Sequence, residues 1–128
     1  MRIRLFVRGR IGRTAEAELV DRYCARLPWD VQITEWPDKG GPGFPPADGA
    51  VRTILLDEQG KTLDSIAFAE RIGQWRDTGV RELRFAIGAA DGCSDADRAA
   101  ADLLLAFGPM TWPHMLARVM LAEQLWRA

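Results

Sequence analysis

Leu83-Arg84-Phe85-Ala86-Ile87-Gly88-Ala89-Ala90-Asp91-Gly92 is the stretch on which the fold turns. Its first five residues are mostly apolar and short enough to read as a buried strand. They run straight into small residues and an Asp, the composition of a turn rather than of more core. Working backwards, Ser65 or Asp64 starts a helix to about Arg76, with Ile66, Ala69, Ile72 and Trp75 in phase and Gly79 as its stop. Before it, Val51–Leu56 is a short β-rich run that ends at Asp57. Working forwards, Ser94 with Asp97 approximates a capping box. A short helix follows, then a strand over Leu103–Phe107, the loop Gly108-Pro-Met-Thr-Trp-Pro113, and a last helix from His114. Pro113 suits the first turn of that helix.

The same alternation holds at the other end. Arg2–Arg8 reads as a strand, Gly9–Gly12 as a turn, and Thr14 as the cap of a helix over 15–27 with Ala15, Leu19, Tyr23 and Leu27 at helical spacing. Val31–Trp36 is a second strand that Pro37 stops. Residues 37–50 hold four Pro and four Gly in fourteen positions and predict a loop with no core-forming capacity. Strands alternating with helices predict a single α/β domain with a mostly parallel sheet. In such sheets ligands bind at the C-terminal ends of strands. The loops after Leu56, Ile87 and Phe107 are therefore the candidate site.

Composition narrows the function classes. The chain has 128 residues, 48% of them hydrophobic, with five Trp and a formal net charge of −1. This is a core-forming chain and not a disordered one. It is not basic enough to grip nucleic acid by bulk charge, so any such role needs a local patch. Arg8, Arg10 and Arg13 around the Gly9–Gly12 turn are the densest one. The first residues lack a signal-peptide h-region and no run is long enough to span a membrane, which predicts a cytoplasmic protein. Cys24 and Cys93 allow at most one disulfide. A single His and no C-x-x-C argue against a metal site.

The last helix carries apolar residues nearly all round. Met115, Val119, Ala122 and Trp126 share a face, Leu116 and Met120 sit on one flank, and Leu121 and Leu125 lie opposite. A helix of this kind is buried on more than one side. One side is its own sheet; the other is expected to meet a second copy of the chain. Trp36, Trp75, Trp112 and Trp126 read as core or interface residues rather than stacking platforms.

Phe85-Ala-Ile-Gly-Ala-Ala-Asp-Gly92, Met110-Thr-Trp-Pro-His-Met-Leu-Ala-Arg118 and Leu121-Ala-Glu-Gln-Leu-Trp-Arg-Ala128 together resemble the RlmH family, SPOUT-class methyltransferases of 23S rRNA. The likeness extends to the N-terminal strand and to Leu56-Asp57 followed by Gly60-Lys61. It implies a trefoil-knotted α/β fold and a homodimer through the C-terminal helix. It also implies S-adenosylmethionine (SAM) as cofactor, and N3 of a pseudouridine in helix 69 of 23S rRNA, on assembled ribosomes, as target. On matching positions the cofactor residues are Leu56, Gly88, Ala89, Gly92, Gly108, Pro109, Met110, Thr111, Trp112 and Pro113. Ala89 stands where the family has a second Gly, and Trp112 where it has a Leu.

No catalytic base is assigned. His114 and Arg118 are the candidates: His114 as a hydrogen-bonding residue of the cofactor loop or a base, Arg118 as an RNA-phosphate contact or the partner of an acid in the dimer interface. Asp91 serves either to orient its loop or to cap the next helix. The family continues beyond the Arg-Ala dipeptide with a His-Pro-Tyr-His-like tail, whereas this sequence stops at Arg127-Ala128, so weak or absent turnover is expected. Two other functions compete: a non-catalytic dimeric relative that binds SAM, and a flavodoxin-like nucleotide-binding module.

Overall fold

The computed structural model describes residues 1–37, 43–46, 49–88 and 95–128. Among the described residues five strands and four helices follow in the order β1 Arg2–Arg8, α1 Ala15–Ala25, β2 Asp30–Trp36, β3 Val51–Thr62, α2 Ser65–Asp77, β4 Glu82–Ile87, α3 Asp95–Ala100, β5 Leu103–Ala106 and α4 His114–Arg127. Every pairing is parallel, and the strands lie in the order β2-β1-β4-β3-β5. The chain is thus an α/β domain with a wholly parallel sheet. Residues 89–94, in the connection from β4 to β5, lie outside the described residues, as does the Ser94 half of the expected capping box.

Side-chain alternation divides the sheet into two faces. Ile3, Leu5 and Val7 of β1, Leu83, Phe85 and Ile87 of β4, and Ile54 of β3 all point to one side. There Phe68 and Ile72 of α2 and Ala117, Leu121 and Leu125 of α4 cover them. Helix starts are set locally: the Thr14 hydroxyl accepts from the Ala17 amide at 3.2 Å and the Asp64 carboxylate from Ala67 at 2.7 Å. Gly79, at φ +91°, supplies the left-handed residue after α2. α1 stops at Ala25, short of the predicted Leu27, and its buried residue is Val20. Leu19 and Tyr23 instead border an apolar groove.

The opposite face differs from expectation. Phe44, in the Pro/Gly-rich loop, packs edge-on against Phe6 (5.1 Å between centroids) and Trp36 (5.4 Å). The loop therefore does contribute to a core, because one aromatic ring covers an area that many small residues cannot. Beside it, Glu82 and Arg84 are buried in β4 with Arg84 Nε 2.6 Å from the Glu82 carboxylate. The rest of the Arg84 guanidinium donates to the carbonyls of Pro45 (2.7 Å) and Pro46 (3.1 Å).

β3 also runs on past Asp57, where its end was expected. Leu56 pairs with Leu105, residues 57–60 leave the ladder, and Lys61 pairs with Leu105 again. Gly60 permits the return. A Cβ there would stand 2.7 Å from the carbonyl carbon of Leu104 and 2.9 Å from the amide nitrogen of Leu105.

Candidate functional site

Because all five strands are parallel, their C-terminal ends share one edge of the sheet. At that edge a cavity of about 440 Å³ opens between β3, β4, β5 and the start of α4. Leu56, Gly88, Met110, Thr111, Trp112, Pro113 and His114 line it, so the strand ends at Leu56 and Ile87 and the loop after Phe107 meet at one space. Gly108 shapes the third loop with φ +97°. It and Pro109 are not among the lining residues. Ala89, Asp91 and Gly92 fall outside the described residues.

The walls are apolar (Leu56, Ile87, Leu105, Phe107 and Ala117), with a few polar groups at the rim. This is the usual make-up of a small-molecule site. The bulge of β3 delivers two carboxylates, Asp57 and Glu58, which the sequence reading passed over. Asp57 is almost wholly buried; its Oδ1 accepts from the Gln59 amide at 2.9 Å, and its Oδ2 lies 2.6 Å from Nε of Arg98 on α3. Glu58 accepts the Thr111 hydroxyl proton. Two carboxylates against one guanidinium leave the lining with an excess negative charge. The signal for them was a polar pair placed directly after a buried strand.

Trp112 is half-exposed at the rim, its indole N–H tied to the Phe107 carbonyl at 3.0 Å. His114 sits at the first turn of α4, with Nδ1 buried and without a hydrogen-bond partner among the described residues. Arg118, one turn on, does not line the cavity. It is 1% exposed and donates from one guanidinium nitrogen to Glu35 at 3.0 Å and from the other to the Gly9 carbonyl at 3.3 Å. Its acid is thus in its own chain, at the end of β2. Burial pushes the Glu35 carboxyl up, but the Ile11 amide, the Arg118 guanidinium and the charge of Arg10 outweigh it and hold the group below its ordinary value. Arg10 and Arg13 are exposed, and Arg8 lies 5.1 Å from the centroid of the Trp36 ring. Burial, then Asp21, push the Cys24 thiol up to about 11, so it is no ready nucleophile. Among the described residues no group of His, Cys, Asp and Glu is arranged to hold a metal.

Comparison with known proteins agrees with this arrangement. A family model described as "Predicted SPOUT methyltransferase" matches residues 45–128, which contain β3 to α4 and every cavity-lining residue. The chain belongs to the SPOUT methyltransferase family. It is 59% identical over its full length to the ribosomal RNA large subunit methyltransferase H of Rhizorhabdus wittichii and to that of Novosphingobium aromaticivorans, spanning 91% of each. The protein of the same name from Zymomonas mobilis is 57% identical, again with 91% spanned.

Proposed function

We propose that this chain is a SAM-dependent methyltransferase of large-subunit rRNA, a cytoplasmic homodimer that acts on N3 of a pseudouridine in 23S rRNA of the assembled ribosome. The observation that carries the reading is the meeting of the Leu56 and Ile87 strand ends and the loop after Phe107 at one apolar cavity with an acidic rim. The residues fit the cofactor. The volume is in the small-molecule range of about 300–1,000 Å³. The excess negative charge of the described lining complements a sulfonium cation, and His114 Nδ1, buried without a partner among the described residues, can take a polar one.

When bound, SAM supplies an activated methyl group whose S–C bond breaks as the new N–C bond forms. The protein's part is orientation and exclusion of water. Leu56, Ile87 and Leu105 give an apolar wall, while Gly88 lets backbone approach closely. Thr111 and Glu58 brace the third loop against the bulge of β3. The N3 proton of the target goes to water, its imide N–H being acidic enough to lose it without a protein base.

Support for the dimer comes from α4. Leu121 and Leu125 serve the chain's own core, yet Leu116 and Trp126 remain exposed at 41% and 43%. Beside them lies a groove of about 460 Å³ lined by Leu19, Tyr23, Phe68, Phe107, Val119 and Met120. A second α4 laid across a two-fold axis would cover both.

Calorimetry with SAM and S-adenosylhomocysteine tests the cofactor; binding at micromolar concentration is expected, and none would refute the reading. Whatever tritium this chain transfers from labelled SAM, weak as its turnover is expected to be, should appear in 23S and not 16S rRNA of 70S ribosomes, and label in 16S alone would refute the substrate. Sedimentation equilibrium is expected to give twice the chain mass, with Val119→Asp shifting it to the monomer.

A further inference from the structure

We propose that Glu35 and Arg118 form a positioning pair that holds the arginine-bearing Gly9–Gly12 turn in the orientation that meets RNA phosphate. The inference rests on the rRNA reading above and on Arg10 and Arg13 as the contacting residues.

Arg118 heads the fully buried side chains of the chain by size. A guanidinium is held in such a place only against an anion and acceptors. Here the anion does two jobs. The same Glu35 oxygen that takes the Arg118 hydrogen bond also accepts from the Ile11 amide at 2.8 Å. Arg118 in turn donates to the Gly9 carbonyl. The turn is thereby fixed at two backbone points, one on each side of Arg10.

It needs that help. Gly9 and Gly12 both sit at positive φ (+83° and +63°), where glycine has great freedom and no side chain of its own to pack. The Thr14 hydroxyl donates to the Ile11 carbonyl at 3.2 Å and the Gly9 amide to the Trp36 carbonyl at 2.9 Å, but neither ties the turn to the cavity side of the fold. The long-range pair does, from a helix that also builds the cavity, since His114 and Ala117 of α4 line it. The turn leaves the C-terminal end of β1, which in an all-parallel sheet is the same edge as the cavity. Phosphate contact and methyl donor are therefore registered to one another through α4. Phosphate contacts of this kind fix orientation on RNA without reading sequence.

Three proteins decide the matter: the full chain, Arg10→Ala/Arg13→Ala, and Glu35→Ala, which keeps both arginines. Each is assayed for co-sedimentation with 70S ribosomes over a salt series, for SAM affinity by calorimetry, and for hydrogen exchange at the Ile11 amide. The double variant is expected to weaken ribosome binding and flatten its salt dependence by roughly two counterions. Glu35→Ala is expected to weaken ribosome binding roughly 3- to 10-fold and to speed Ile11 exchange, with SAM affinity within about twofold of the original. Should Glu35→Ala not fold, Glu35→Gln takes its place with a smaller loss, because an amide oxygen still accepts from Ile11. If the double variant binds ribosomes normally, the turn is not the RNA contact and the underlying reading fails. If it binds weakly while the Glu35 variant binds normally, or loses SAM and ribosome affinity in equal measure, the positioning role is wrong and the RNA contact stands.

Discussion

Gly60→Ala perturbs the point on which the cavity wall depends. The added Cβ would lie 2.7 Å from the Leu104 carbonyl carbon, 2.8 Å from its oxygen and 2.9 Å from the Leu105 nitrogen. Carbon atoms in contact ordinarily stand about 3.5–4.0 Å apart, so the overlap is roughly 1 Å. All three neighbours are backbone, and no rotamer change relieves them. Either the return of β3 at Lys61 or the four-residue β5 must move by about that distance. Overpacking of this kind costs about 1–3 kcal/mol. At roughly 4 °C per kcal/mol for a chain of this size, Tm falls by about 4–12 °C. The displaced residues, Leu105 and Ala106, line the cavity. SAM affinity should therefore drop roughly tenfold or more, a wall having shifted by about 1 Å. Thermal melts by circular dichroism and calorimetric SAM titration check both. A variant that keeps its Tm within about 1 °C and binds SAM unchanged would show the close approach to be soft, and the argument for Gly60 would fall.

The remaining expectations are more local. Gly73→Ala, inside α2 with its new Cβ 3.6 Å from the end of the Arg76 side chain, should raise stability by about 0.5–1 kcal/mol in urea denaturation. Glu82→Ala strips the buried Arg84 of its anion and should cost about 3–5 kcal/mol. Half-exposed Arg2, 3.5 Å from the same carboxylate, adds little because water screens it. Glu35 is held below its ordinary value in the folded chain, so the stability it confers is fully present above that value and is lost as pH falls through the folded one. The gap in unfolding free energy between the original and Glu35→Gln should accordingly be flat near neutrality and narrow in acid; a gap that widens in acid would contradict the assignment.

Element types were legible where pattern and burial coincide. Leu83–Ile87 is wholly buried, which is why its apolar run stood out. The three loops could be chosen because each leaves its buried strand with Gly, Asp or Pro content. Where local pattern and tertiary contact part company, the reading stopped short. Asp57-Glu-Gln-Gly-Lys61 has no apolar period, so nothing in it announces that β3 resumes; the cause is contact with Leu104, far along the chain. Phe44 is one ring among Pro and Gly, and its partners Phe6 and Trp36 are remote. Arg118 looked available for RNA or a second subunit because its acid, Glu35, is 83 positions away. Asp57 and Arg98 face each other only once α3 is set against the end of β3.

The strand order carries a consequence for the newly made chain. β1 is the first of these five strands to be synthesised and lies inside the sheet, between the edge strand β2 and the central strand β4, with Arg2 beside both Asp30 and Glu82. One of its edges is covered early by β2. The other stays bare until β4 has been made, and β4 in turn needs β3 on its far side. During that interval Ile3, Leu5 and Val7 have neither a strand to one side nor α4 above them. Non-local parallel pairing of this kind is slow and leaves an apolar edge open to other chains. Arg2, Arg4 and Arg8 place three like charges along that strand, which disfavours its pairing with another chain before β4 arrives.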